Sequence, residues 1–104
     1  PRRQLHRPRA FDAFPAVELA RRVGLAGGVA PAVFNAANEV AVDSFGSAQL
    51  GFTGITDVVA ATVARLLAGD GPDPRRLSVE SVLAADAWAR GQASRLIEEA
   101  SWAR

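Results

Sequence analysis

Four stretches of this chain carry apolar residues at three- and four-residue spacing, and glycine or proline interrupts the chain between them. That interval lines one face of an α-helix, which turns every ~3.6 residues. A strand would need alternation instead. Leu50 to Thr53 is the only candidate, and it is too short to make a sheet. Helical stripes joined by short connections can bury themselves only against one another. The expected fold is therefore all-α: a small bundle of about four helices over residues 14–104, preceded by an irregular arm or interdomain linker at 1–13.

In the arm, Pro8 disfavours helix and Arg2, Arg3, Arg7 and Arg9 repel one another, so a connecting segment or an edge strand is expected. The first helix is predicted over Pro15–Leu25, with Phe14, Val17, the Ala20/Arg21 turn and Leu25 as its apolar row and Glu18 paired with Arg22 outside. Gly27 and Gly28 supply its C-cap. The second is predicted over Pro31–Phe45, with Val33, Ala37, Val40, Ala41 and Phe45 on one stripe and Gly46 breaking it. The third runs from Gly54 to Ala68, capped by Thr53, with Ile55, Val58, Val59, Val63 and Leu66 inward, Leu67 widening that face and Arg65 pointing away. Gly69 to Pro74 reads as a loop. The last helical region begins near Ser78, a good N-cap, with Glu80 at the positive end of the helix dipole; Asp86 could instead cap a separate final helix. Leu83, Ala87, Trp88, Leu96, Ile97 and Ala100 offer its apolar surface, and Trp88 and Trp102 share a face.

Composition narrows the chemistry. A chain of 104 residues supports one modest core, so only marginal stability is expected of it alone. Cysteine is absent, which removes disulfides, thiolate metal sites and thiol nucleophiles together. The basic residues are all arginine, and they nearly balance the acids at a net charge of +1. Such a balance draws the chain neither to nucleic acid nor to an anionic membrane. No apolar run approaches the ~18 residues of a membrane span, and no signal-peptide pattern opens the chain. A soluble, cytoplasmic protein is the expectation. A chain without methionine that opens on Pro1 also fits a piece of a longer protein.

A search for reacting groups yields little. Gly24, Gly27 and Gly28 do not match a dinucleotide-binding turn and sit at a helix C-terminus, the wrong electrostatic end for phosphate. Glu39 and Asp43 lie one turn apart, but two carboxylates at that spacing more often form a solvated face than a metal site, and Glu39 is equally suited to hydrogen-bonding a neighbouring loop. Glu98 and Glu99 point to different sides of their helix. His6 is the single histidine and lacks both an orienting partner and a pocket. Ser44, Ser47, Ser78, Ser81, Ser94 and Ser101 have no nucleophile-elbow context. Asn35 and Asn38 are the notable polar pair, since asparagine in an apolar helix commonly satisfies buried backbone groups. Together with Glu39 they are expected to anchor the helix to loops of the bundle or to a preceding domain. No catalytic, cofactor-binding or metal-binding residue is assigned.

The order and spacing of several segments resemble one known family. Phe14-Pro15-Ala16-Val17-Glu18-Leu19-Ala20 precedes Ala26-Gly27-Gly28, then Pro31-Ala32-Val33-Phe34-Asn35-Ala36-Ala37-Asn38-Glu39-Val40-Ala41-Val42. Phe45, Gly51-Phe52-Thr53 and Ile55 follow, and Val82-Leu83-Ala84-Ala85-Asp86-Ala87-Trp88-Ala89-Arg90 closes the series. This pattern, and the Asn-Ala-Ala-Asn-Glu run above all, resembles the C-terminal helical domain of 1-deoxy-D-xylulose 5-phosphate reductoisomerases. It departs from the family at Gly46, where a long apolar residue is usual, and at Ala10, where an aspartate is expected.

The resemblance implies an NADPH-dependent, Mg²⁺- or Mn²⁺-requiring enzyme of isoprenoid precursor synthesis. Such enzymes rearrange and reduce 1-deoxy-D-xylulose 5-phosphate to 2-C-methyl-D-erythritol 4-phosphate in the methylerythritol phosphate pathway. In that family the dinucleotide fold, the metal carboxylates and the phosphate-binding residues lie upstream of this region, so none carries over. The implied role is structural: packing on the catalytic and NADPH-binding domains of a parent chain, within a homodimer, with no cofactor held by this piece. Two rival readings are an independent helical interaction module and nucleic-acid contact through the arginine-rich arm. The second lacks the aromatic interleaving and the recognition helix that such binding uses.

Overall fold

The structure, a computed structural model, describes the backbone of residues 16–46 and 52–103 and the side chains of 18–46 and 54–99. Four helices account for its regular structure: α1 (Ala16–Ala26), α2 (Ala30–Gly46), α3 (Phe52–Leu67) and α4 (Val79–Ala103). No strand occurs among the described residues, and Phe52 and Thr53 of the candidate strand belong to α3. The arm at 1–13, with His6 and its arginines, lies outside the described residues, as do Phe14, Pro15, Leu50, Gly51 and the side chains of Val17, Ala100 and Trp102.

α2 touches every other helix and packs most extensively on α4 and α3, while α1 and α4 do not meet among the described residues. α2 and α3 therefore form the middle of the bundle, with α1 and α4 on either flank. On α4 the buried row is Ala85, Ala89, Ala93 and Ile97, each four residues after the last. The buried residues of α2, which packs on all three other helices, are also mostly small: Ala30, Val33, Ala36, Ala37, Ala41 and Ser44. Side chains that end at Cβ let two helices approach more closely than leucine rows would. Larger residues fill the remaining volume, with Leu66, Val29, Val33 and Val63 fully enclosed. Each is worth about 1.5–3 kcal/mol when fully buried. α3 is the most enclosed helix, because Val58 through Val63 are six consecutive buried residues. Thr62, in the middle of that run, satisfies its hydroxyl by donating to the Val58 carbonyl at 2.8 Å.

The helix ends follow capping chemistry. The amide of Gly27 donates to the carbonyl of Val23 at 3.1 Å with Gly27 in the left-handed region, a single-bond αL cap. α3 ends in a full Schellman motif: Gly69 donates to Leu66 at 3.1 Å and Asp70 to Arg65 at 3.0 Å, with Gly69 at φ 92°. At the start of α4, Ser78 Oγ accepts the Ser81 amide at 3.0 Å, and Ser81 Oγ accepts the Ser78 amide at 2.8 Å. This reciprocal pair is a capping box with serine in the place glutamate usually takes.

Several details differ from the expected ones. α3 starts at Phe52, so Thr53 lies within its first turn and is not the N-cap. Gly46 ends α2 from inside the helix. α4 is continuous through Asp86 and Gly91, so no separate final helix is capped there. The inward row of α1 is Leu19 and Val23, which leaves Leu25 72% exposed. Leu25 lies two residues past Val23, ~200° further around the helix. Phe45, Leu67 and Leu83 are likewise exposed, and Ala87 faces outward. Arg65 does not point away into solvent: its Nη1 donates to Gln92 Oε1 at 2.7 Å, tying α3 to α4.

The loop between α3 and α4 is held at two points. The amide of Val29 donates to the carbonyl of Pro74 at 2.9 Å, which seats the loop on the α1–α2 turn. There Gly28 has φ 54°, and a Cβ on it would lie 1.5 Å from that carbonyl oxygen. Gly71 lies flat against Trp88, where a Cβ would fall 2.5 Å from the indole ring.

Three substitutions test this packing by thermal melting. Gly28→Ala must move Pro74 backbone as well as strain φ, so it is expected to cost on the order of 3 kcal/mol or more, whereas Gly27→Ala, with open space around it, costs only the left-handed penalty of about 1–2 kcal/mol. Ala89→Leu forces α4 away from α2 and should cost about 1–3 kcal/mol. Equal melting temperatures for the two glycine variants would contradict the Gly28–Pro74 contact.

Candidate functional site

The densest polar grouping between helices lies where α4 crosses α2. The Asn-Ala-Ala-Asn-Glu run sits in the second and third turns of α2, with Ala36 and Ala37 buried in the core. One turn apart on the outer side, Asn35 Nδ2 donates to Glu39 Oε2 at 3.2 Å. The other oxygen of Glu39 accepts from Arg90 Nη2 at 2.6 Å, and Arg90 Nε donates to Asp86 Oδ2 at 2.9 Å within α4. One guanidinium thus joins two carboxylates on different helices, a use for which its planar fork of donors is suited. The Asp86 hydrogen bond, then that of Glu39, holds Arg90 in its charged form well beyond the usual arginine range.

Within the bundle, this grouping replaces the loop contacts expected of Asn35 and Glu39. Asn35 is exposed and orients Glu39 rather than pairing with buried backbone, and Glu39 reaches a helix, not a loop. Asn38 is half-buried and lines a shallow apolar cleft of about 110 Å³ with Leu19, Phe34, Ile55, Thr56 and Val59. The sequence alone does not join Arg90, with Asp86 on its other side, to Glu39. Their four-residue spacing was the available signal for the pair within α4, but the third member is 51 residues away from Arg90.

The remaining candidates take structural positions. Asp43 is exposed one turn beyond Glu39, whose carboxylate is already engaged. Glu98 and Glu99 are both exposed near the end of α4. Ser78 and Ser81 are spent on the cap, Ser44 is buried in α2, Ser94 is exposed, and Ser47 with the side chain of Ser101 lies outside the described residues. Gly27 forms the α1 C-cap and Gly28 the joint with Pro74. In the 69–78 loop, the Arg75 amide and then its guanidinium lower the Asp73 carboxyl below its ordinary value. Its contribution to that turn is present above the ordinary carboxylate range and is lost as pH falls through the lowered value. Among the described residues, no three His, Asp or Glu side chains converge on a possible metal centre. No described helix is long and apolar enough to cross a membrane.

Comparison with known proteins places these elements in context. Residues 4–92 match the family model described as the DXP reductoisomerase C-terminal domain. A 1-deoxy-D-xylulose 5-phosphate reductoisomerase of Kitasatospora griseola is 56% identical over 85 residues, 82% of this chain and 22% of that protein. The enzyme of the same name from Cutibacterium acnes is 50% identical over 80% of this chain and 22% of its own length. That of Streptomyces coelicolor is 47% identical over 89% of this chain and, again, 22% of its own length. The chain spans about a fifth of the length of the curated relatives it matches.

The Glu39–Arg90 link is testable by a double-mutant cycle with Glu39→Gln and Arg90→Met. The two changes should be less than additive in low salt, and the coupling should vanish near 1 M salt, where the screening length falls to about 3 Å. Strict additivity at low salt would show that the pair contributes nothing across the α2–α4 contact.

Proposed function

Because this chain belongs to the 1-deoxy-D-xylulose 5-phosphate reductoisomerase family as its C-terminal domain, we propose that it serves as the helical support of an NADPH-dependent reductoisomerase in isoprenoid precursor synthesis. The observation that carries this reading is the match itself, which runs through all the described helices except the last part of α4. In the proposed whole enzyme the catalytic and NADPH-binding parts belong to the remainder of a longer polypeptide, and the enzyme is a homodimer working in the cytoplasm.

The described residues do not fit the groups the whole enzyme uses. NADPH needs backbone amides at a helix N-terminus to receive its pyrophosphate, and the glycines here close a helix C-terminus instead. A divalent ion needs converging carboxylates, and Glu39 and Asp86 converge on Arg90, whose charge they neutralise. The domain's share in the reaction is therefore mechanical. Its interlocked helices give a rigid surface against which the reacting groups of the rest of the enzyme can hold their geometry, and small displacements of such groups cost rate steeply.

Replacing the matched region of the 56%-identical relative with this chain tests the reading. The chimera is expected to oxidise NADPH in the presence of 1-deoxy-D-xylulose 5-phosphate and Mg²⁺, whereas the 104-residue chain alone is expected to give background. An inactive chimera would count against the domain assignment, and turnover by the chain alone would overturn the mechanical role.

A further inference from the structure

The exposed side of α4 changes character along its length. In the first half, Val79, Leu83, Ala84, Ala87 and Gly91 face outward beside Glu80, the part-exposed Asp86–Arg90 pair borders Val79 and Leu83 on one side, and exposed Arg75 and Arg76 precede Leu77. Farther on the same side the outward residues include Arg95, Glu98 and Glu99. Leu77, just before the helix, extends the apolar half. Leu77, Val79 and Leu83 are 69%, 77% and 65% exposed, although aliphatic side chains of this size are ordinarily covered. Ala84, Ala87 and Gly91 make the adjoining surface low, and a Cβ on Gly91 would meet nothing within 4 Å. A glycine inside a helix lowers its stability, and at this position the bundle gains no packing from it in return.

We infer that the apolar first half of α4, from Leu77 to Gly91, is the surface on which the rest of the reductoisomerase polypeptide seats. The inference rests on the reading of the chain as that enzyme's C-terminal domain and specifies which face it uses. Two observations select this occupant over a second copy of the chain. First, in the relatives this same region is about a fifth of the polypeptide, and the remainder is nearly four-fifths of their length. Second, the patch is too small for free association. Twelve residues of rise give a face about 18 Å long and about 10 Å wide, on the order of 200 Å². A stable pairing of separate molecules buries about 800 Å² on each partner. A partner tethered in the same polypeptide acts at an effective concentration on the order of millimolar, so a face of this size suffices. The three aliphatic side chains would fill hollows on the partner, while Ala84, Ala87 and Gly91 let its backbone approach.

The chimeric enzyme described above tests this, with hydrogen exchange and thermal melting as readouts beside activity. Amides of residues 79–91 should exchange roughly tenfold more slowly in the chimera than in the isolated chain. Leu83→Lys removes an aliphatic anchor and Ala87→Lys fills the low surface. Either should abolish that protection and separate the chimera's melting into two transitions. Neither should shift the melt of the isolated chain by more than about 2 °C, because both positions are exposed in it. Leu25→Lys, on an exposed leucine elsewhere, should leave the chimera unchanged. An active chimera in which both α4 variants retain the protection would overturn the assigned face while leaving the domain reading intact. An inactive, two-transition chimera would overturn both. Concentration-dependent dimerisation of the isolated chain, lost on Leu83→Lys, would assign the face to a second copy and overturn the choice of occupant.

Discussion

The bundle depends on how closely α4 can approach α2. Ala85, Ala89 and Ala93 present only Cβ atoms to a partner row that is itself mostly alanine. Across this contact Arg90 meets Glu39 at 2.6 Å, and Arg65 of α3 meets Gln92 of α4 at 2.7 Å. Were the row made of leucines, the helices would stand farther apart and the bridging geometry would change with them. The Glu39–Arg90 bridge is exposed and lends little energy of its own, while the Arg65–Gln92 hydrogen bond is partly buried. Their effect is to fix the register in which two nearly featureless alanine faces lie, a task that small apolar side chains perform poorly.

The loop from Gly69 to Ser78 acts as a second clasp at one end of the molecule. It accepts the Val29 amide, lies under Trp88 through Gly71, and delivers the chain to the Ser78 capping box. Gly28 is required there on two counts, its positive φ and the Pro74 carbonyl oxygen lying where a Cβ would be. A segment whose composition marks it as a break between helices is therefore tied to three of them. Its backbone groups are engaged with the fold, which is why a glycine- and proline-rich stretch can serve as a structural joint.

Among the described residues, Glu39 and Asp86 are both paired with Arg90, and Gly27 ends α1 in the left-handed region. Leu77, Val79 and Leu83 at the start of α4 are among the large apolar side chains that the fold leaves exposed, and this is the face proposed above to seat the rest of a longer polypeptide.

Much of this was legible from residue order alone. The all-α class, the number of helices, their approximate spans, the Gly27 and Ser78 caps and the family followed from local rules: spacing, capping chemistry and ordered motifs each involve residues near in sequence. The choice of buried face in α4 was not legible, because alanine occupies both sides of it. Ala85 and Ala89 are enclosed while Ala84 and Ala87 are exposed, and a side chain that small leaves no hydrophobic period to read. The same holds for Leu25 and Leu83, apolar residues that pattern places inside and packing leaves outside. The Glu39–Arg90 bridge and the Gly28–Pro74 contact lie deeper still. They join residues tens of positions apart, and only the distance between packed helices, set by the size of the side chains between them, decides whether such groups meet.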